Sequence, residues 1–225
     1  MFNAIDYYHI SDLLSEDELM IQKAVRSFVD ERFLPLIREQ HRNAIFPMEL
    51  IPELGRMGLL GVTVPEEYGG AGLSHTVYGI AMQELERGDS GLRSFASVQG
   101  SLVMFPIKSY GSQEQKKKWL PQLASGEKVG CFGLTEPDFG SNPQGMRTRA
   151  KRKGRDWILN GSKMWITNGS IADVAVVWAM TEEGVNGFLV EKDRPGFSSK
   201  ALQGKLSLRA SDTAELSFQD CAIPD

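Results

Sequence analysis

Two stretches hold residues whose types and spacing could do chemistry. Gly130 to Met146 reads GCFGLTEPDFGSNPQGM, and Asn160 to Gly169 reads NGSKMWITNG. In the first, an apolar run ends at Thr135 and breaks into Glu136, Pro137, Asp138, Gly140, Ser141, Pro143 and Gly145. The prolines restrict the chain and lack donors, while the glycines permit unusual dihedrals. Such a loop turns backbone N–H groups and the hydroxyls of Thr135 and Ser141 outward. That chemistry suits an aromatic, heteroatom-rich ligand better than a metal. In the second stretch Trp165, Ile166 and Thr167 set an indole beside a hydroxyl, a platform for a flat ring system. A surface loop with satisfied turns explains the same residues equally well, so taken alone they leave both readings open.

Composition narrows the class. The chain has 225 residues, 41% hydrophobic and 24% charged, which suits one large or two small domains with a substantial core. A net charge of -4 gives no electrostatic case for nucleic acid, and Lys116, Lys117 and Lys118 read as a solvated helix face. Cys131 and Cys221 are far apart and read as free buried thiols. His9, His41 and His75 are isolated, and no Cys/His spacing suggests a metal. The first twenty residues carry acids but no Lys or Arg, unlike a secretory signal or an organelle presequence. No apolar run reaches the length of a membrane span. A cytoplasmic protein is the expectation.

The elements that must position these residues change period near Gly126. Ser15 to Glu18 forms a capping box that starts a helix through Ile21, Val25, Phe28 and Val29, with Pro35 marking its end. A second helix is expected over Pro47 to Met57, with Gly58 at C′. A third carries Tyr78, Ala81, Met82 and Leu85 and stops near Gly88. A fourth, Ser90 to Tyr110, is rich in small residues that let a backbone or a ligand approach closely. A fifth starts at the capping box Ser112 to Gln115 and ends at Gly126. Beyond it, Asp156 to Thr167 reads as a hairpin turning at Asn160-Gly161. Ala172 to Ala179, Gly187 to Lys192 and Thr213 to Phe218 read as strands, with a turn over Thr181 to Gly187. Helices followed by strands, without alternation, predict an α+β chain. An all-α region (1-128) precedes an antiparallel β-barrel-like region (129-225), and no dinucleotide-binding Gly motif is present.

The run CFGLTEPDFGSNP, followed by NGSKMWITNG, resembles the flavin-binding pair of the acyl-CoA dehydrogenase family. PEEYGGAG (Val64 to Gly72 region) resembles the signature of its helical domain, and KLSLRAS with FQDCAIPD resembles the end of its middle β domain. The resemblance covers the whole chain in order. It implies FAD as cofactor, with Phe132, Gly133, Leu134 and Thr135 along the isoalloxazine and Gly140 and Ser141 in the same loop. Trp165, Ile166 and Thr167 would cover the other side, and Ser141 would meet FAD or the thioester arm of an acyl-CoA. The family carries its catalytic Glu in a C-terminal four-helix domain expected to be absent here. No catalytic residue is therefore assigned to this chain, neither Glu136 nor Asp138, and the chain alone is expected to be inactive. The implied partners are an electron-transfer flavoprotein and further copies of the chain, a tetramer in the complete enzyme.

ELERGDSGLRS (Glu84 to Ser94) resembles glutaryl-CoA dehydrogenases in particular. An Arg in an otherwise apolar acyl pocket is costly unless it meets an anion, and a guanidinium grips a carboxylate bidentately. The resemblance implies that Arg93, Ser94 and Ser97 hold the distal carboxylate of glutaryl-CoA, with Glu86 tempering Arg93. The implied reaction is α,β-dehydrogenation, with decarboxylation to crotonyl-CoA and CO2. A non-catalytic FAD or acyl-CoA binding module is the alternative.

Overall fold

The computed structural model describes residues 7–224. Helices occupy the first part: α1 (Glu16–Phe28), α2 (Leu34–Asn43), α3 (Ile51–Arg56), α4 (His75–Gly88), α5 (Ser90–Ser97), α6 (Phe105–Tyr110) and α7 (Gln113–Ala124). Strands follow: β1 (Gly130–Gly133), β2 (Arg149–Lys153), β3 (Asp156–Thr167), β4 (Val174–Thr181), β5 (Gly184–Glu191), β6 (Phe197–Ala201) and β7 (Thr213–Ile223). The α+β order read from the sequence is the observed one.

Local signals act as their physics requires. Both capping boxes form, with Ser15 and Ser112 each accepting from the N3 backbone and the N3 side chain reaching back. Gly58 adopts φ 73°, and Leu59 N–H reaches Leu54 C=O while Gly58 N–H reaches Gly55 C=O. This pair of bonds is a Schellman closure of α3. Pro35, however, does not end the first helix. A π-helical turn over Val29–Phe33 widens the spiral, and the chain continues into α2 with Pro35 in its first turn. There a missing N–H costs nothing.

The sheet is mixed. Its order is β1-β4-β2-β3-β7-β6, with β5 also paired to β4. β1 and β2 run parallel to β4, and the other pairings are antiparallel. β4 lies between two cores, which is why its sequence is a continuous apolar run. Val174 and Val176 face the helical core, whereas Ala175 and Val177 face the core inside the curled sheet.

Two turn expectations are corrected. Asn160-Gly161 is not a hairpin turn. β3 passes straight through it with a bulge between Leu159 and Gly161, and the true reversal lies between Lys153 and Asp156. Gly161 has φ 147°, and a Cβ there would stand 2.5 Å from Thr148 Oγ1. The glycine serves a close crossing, and Asn160 ties β3 to β7 through Asp220. The turn expected over Thr181 to Gly187 shrinks to Glu182 and Glu183, because Thr181 Oγ1 accepts from Glu183 N–H and from Asn186.

Gln99 joins helices to sheet. It lies in a second π-helical segment, Val98–Met104, that links α5 to α6. Its buried amide donates to Leu123 C=O (2.9 Å) and Lys128 C=O (2.8 Å) and accepts from Gly130 N–H (2.8 Å). Gly130 must be bare, since a Cβ would meet Val103 at 2.5 Å. Gln99→Leu should strand these three backbone groups and lower unfolding free energy by about 3 kcal/mol or more, as read by urea denaturation. A loss under about 1 kcal/mol would show that the amide is not the junction.

Candidate functional site

The loop between β1 and β2 is an excursion from one continuous line. Gly133 pairs opposite Val177 and Arg149 opposite Met180 on the same edge of β4. The two loop ends are therefore separated by three strand residues, about 10 Å. Everything from Leu134 to Thr148 rises from this narrow base.

A buried ion pair closes the base. Lys163, on β3, has no exposed side-chain surface, and Glu136 is 4% exposed. Lys163 Nζ donates to Glu136 Oε1 (2.8 Å) and to Leu134 C=O (3.1 Å), and lies 4.0 Å from Met146 Sδ. The Glu136 carboxylate also accepts from Arg147 N–H (2.5 Å) and Thr148 N–H (2.9 Å). One ammonium and one carboxylate thus hold both ends of the loop. Burial alone would raise the Glu136 pKa, but the Lys163 ammonium and these donors hold it down at about 2. Burial pushes Lys163 downward, opposed by Glu136.

Above the base the loop is tied to β3 at one point, where Met164 N–H donates to Thr135 C=O (2.9 Å). The next residue, Trp165, sits at φ 64° and is 64% exposed. With Met164 it forms a bulge between Lys163 and Ile166, two residues facing Glu215 alone on β7. The bulge keeps Lys163 and Ile166 inside and leaves the Trp165 indole exposed. A bulky side chain in the left-handed region costs on the order of 1–3 kcal/mol, so the local bonding must enforce it. Thr135 and Thr167 are half-buried, and among the described residues their hydroxyls have no hydrogen-bond partner.

The other sequence-derived residues fall as follows. Gly133 and Leu134 lead into the loop, with Gly133 packed over Lys163 and Leu216. Phe132 turns its ring toward the helical half, edge-on to Trp178 at 6.1 Å. The Ile166 side chain is buried in the β core, leaving only its backbone for a ligand. Gly140 and Ser141 lie at the exposed crest of the loop. Gly145 lies under the Phe139 ring, where a Cβ would stand 2.2 Å away. The sequence reading missed Lys163, Glu136 and Gln99 as positioning residues. A Lys at an inward position of an apolar strand was the available signal.

A second group gathers on the helices. Arg93 Nε donates to Glu86 Oε2 (2.7 Å), Ser90 Oγ donates to Glu86 Oε1, and Arg93 Nη1 stands 3.5 Å from Ser97 Oγ. Ser97 in turn donates to Ser94 C=O (3.2 Å). Arg93 and Glu86 are both about two-fifths exposed, so the pair is accessible. Ser90 and Arg93 hold the Glu86 carboxyl below its ordinary pKa. No hydrogen bond or ion pair joins this cluster to the loop among the described residues. The linkage runs along α5 to Gln99, about 9 Å further along the axis at 1.5 Å per residue.

Comparison with known proteins adds identity to this geometry. Residues 15–127 match the family model for the acyl-CoA dehydrogenase N-terminal domain, and residues 131–221 match that for the middle domain. The human mitochondrial short-chain specific acyl-CoA dehydrogenase is 40% identical over 94% of this chain and 52% of its own length. A glutaryl-CoA dehydrogenase from Mycobacterium smegmatis, solved with FADH2, superposes with a TM-score of 0.95 at 56% identity, covering 96% of this chain and 56% of that one. A chain in a solved structure described as an electron transferring flavoprotein of Acidaminococcus fermentans gives 0.90 at 40% identity, covering 98% and 58%. The chain spans about half the length of these relatives.

Removing one partner of the buried pair leaves an uncompensated charge. Lys163→Met should cost about 3–5 kcal/mol of stability, and adding Glu136→Gln should recover part of it. A single variant as stable as the parent would contradict the clamp. Glu136 also links the clamp to pH. Its folded pKa lies below its unfolded value, so its contribution is complete above pH ~4.3 and is lost as pH falls toward about 2. The stability gap between parent and Glu136→Gln should close across that window, and a gap unchanged down to pH 2 would contradict the assignment.

Proposed function

The chain belongs to the acyl-CoA dehydrogenase family, and from that premise we propose that it is the helical and middle β part of an FAD-dependent glutaryl-CoA dehydrogenase. The observation that carries the acyl specificity is Arg93 held through Nε by Glu86, with the Ser97 hydroxyl beside it and Ser97 tied to the Ser94 carbonyl. Use of Nε by Glu86 leaves Nη2, together with Nη1 beyond its 3.5 Å bond to Ser97 Oγ, for a carboxylate on the acyl tail. A plain apolar tail offers nothing to satisfy that edge. The Mycobacterium smegmatis structure, a glutaryl-CoA dehydrogenase at 56% identity, supports this reading.

The residues around the loop fit a flavin. Thr135 and Thr167 offer hydroxyls without a partner among the described residues, and the exposed Trp165 indole offers an aromatic face. FAD would supply the acceptor for the electron pair leaving the acyl chain. This chain's residues would bind and orient it, with Phe132 to Thr135, Gly140 and Ser141 on the loop side and Trp165 to Thr167 on the β3 side. Glu136 is unsuited to proton abstraction, because its carboxylate is engaged by Lys163 and two N–H groups. We place the base outside these residues, in the part of the relatives' length that the chain does not span, and propose that the chain alone does not turn over substrate. Decarboxylation of the dehydrogenated product, an electron-transfer flavoprotein as acceptor, and homo-oligomeric assembly belong to the same reading.

In the complete enzyme, Arg93→Ala should lower kcat/KM for glutaryl-CoA about 100-fold, the worth of a lost charge-assisted bond, and that for butyryl-CoA less than about fivefold. Equal losses on both substrates would point to a short-chain acyl-CoA dehydrogenase instead.

A further inference from the structure

Positive charge is concentrated on one part of the β half. Arg147, Arg149, Lys151, Arg152, Lys153 and Arg155 fall within nine consecutive positions of a chain whose net charge is -4. The two-residue period of β2 sets Arg149, Lys151 and Lys153 on one face. Their neighbours on β3 are Asn160, Ile158 and Asp156, and Ile158 pairs in turn with Ala222 of β7. Arg149, Lys151, Lys153, Ile158, Asn160 and Ala222 are among the residues lining a shallow concavity of about 1000 Å³.

Three of these cations are engaged within the chain. Arg147 pairs with Asp138 at 2.8 Å, Arg149 donates to Met146 C=O, and Arg152 lies over the Trp157 ring. Asp220, the acid in the concavity, is engaged by Asn160. Lys151 and Lys153 are exposed and make no ion pair among the described residues. The backbone is open here as well. Among the described residues, β2 touches β4 at the single pairing Arg149–Met180, so from Lys151 to Lys153 its side away from β3 carries no strand of theirs.

An open strand edge with cations on alternate residues fits an extended acidic segment. Its backbone would pair with β2, and carboxylates two residues apart would repeat at about 6.6 Å, the spacing of the cations themselves. The cations are spread along the strand and do not converge on one point, so a single phosphate is a poorer match. Lysines alone are enough to protect an edge from aggregation. That role does not account for the concavity beside the cations, whose floor continues over Ile158 of β3 and Ala222 of β7. We propose that the free edge and outer face of β2 dock an acidic, extended peptide segment of a partner protein. The proposal rests on these residues and not on the identity of the acyl substrate.

The test uses fluorescence anisotropy of a labelled twelve-residue peptide of alternating Glu and Thr, with a single-stranded oligonucleotide of equal charge in parallel. The 225-residue chain is compared with K151E/K153E and with the control K117E/K200E, which reverses two exposed lysines elsewhere. The expected result is salt-sensitive peptide binding, weakened at least tenfold by K151E/K153E and less than twofold by the control. No binding by the parent, equal weakening by both variants, or tighter binding of the oligonucleotide would each overturn the proposal.

Discussion

A single buried charge pair organises the β half. An ammonium with no exposed surface is tolerated only where its partners are close and complete, and Lys163 finds a carboxylate, a carbonyl and a thioether. Those partners come from both ends of one loop. Satisfying the charge therefore fixes the loop base, the register of β3 against it, and the bulge that turns Trp165 outward. The strained Trp165 backbone follows from holding Lys163 and Ile166 inside the sheet together. The exposed indole, and a Thr135 hydroxyl with no partner among the described residues, are consequences of the same arrangement.

A second constraint couples this site to the helices. β4 belongs to two cores at once, and β1 is fastened to the π-helical segment by Gln99. The helix that carries Arg93 thus ends on the strand that leads into the loop. Two groups distant in sequence acquire a fixed separation because one helix connects them. The π-helical widening at Val98–Met104 lets the Gln99 amide reach Leu123, Lys128 and Gly130 at the same time. For the proposed site, which would hold a cofactor and an acyl chain in one geometry, such rigidity would have functional value.

Much of this was legible in the sequence, because some signals are local. The capping boxes at Ser15 and Ser112, the Gly58 closure and the loop's turn chemistry need no tertiary context. The family resemblance located the loop and β3 together. The failures share one cause, tertiary contacts that override local preference. Asn160-Gly161 has ideal hairpin chemistry, but the close passage of Thr148 uses the glycine for a crossing. Pro35 reads as a stop, yet the π turn before it supplies a new helix start. β2 and β6 were missed because Ala150 is the sole buried residue of β2 and β6 has none, so neither shows an apolar alternation. Lys163 stood at an inward position, but nothing local identified Glu136 as its partner.

In the proposed flavin site, the Lys163–Glu136 clamp is what fixes the loop against β3. The direct measurement is FAD affinity, by flavin absorbance titration, of the parent and of Lys163→Met/Glu136→Gln in the complete protein, with circular dichroism confirming that both are folded. The account predicts that the folded double variant binds FAD at least about 100-fold more weakly, since loop and β3 no longer share a fixed register. A folded double variant that binds FAD as tightly as the parent would contradict it.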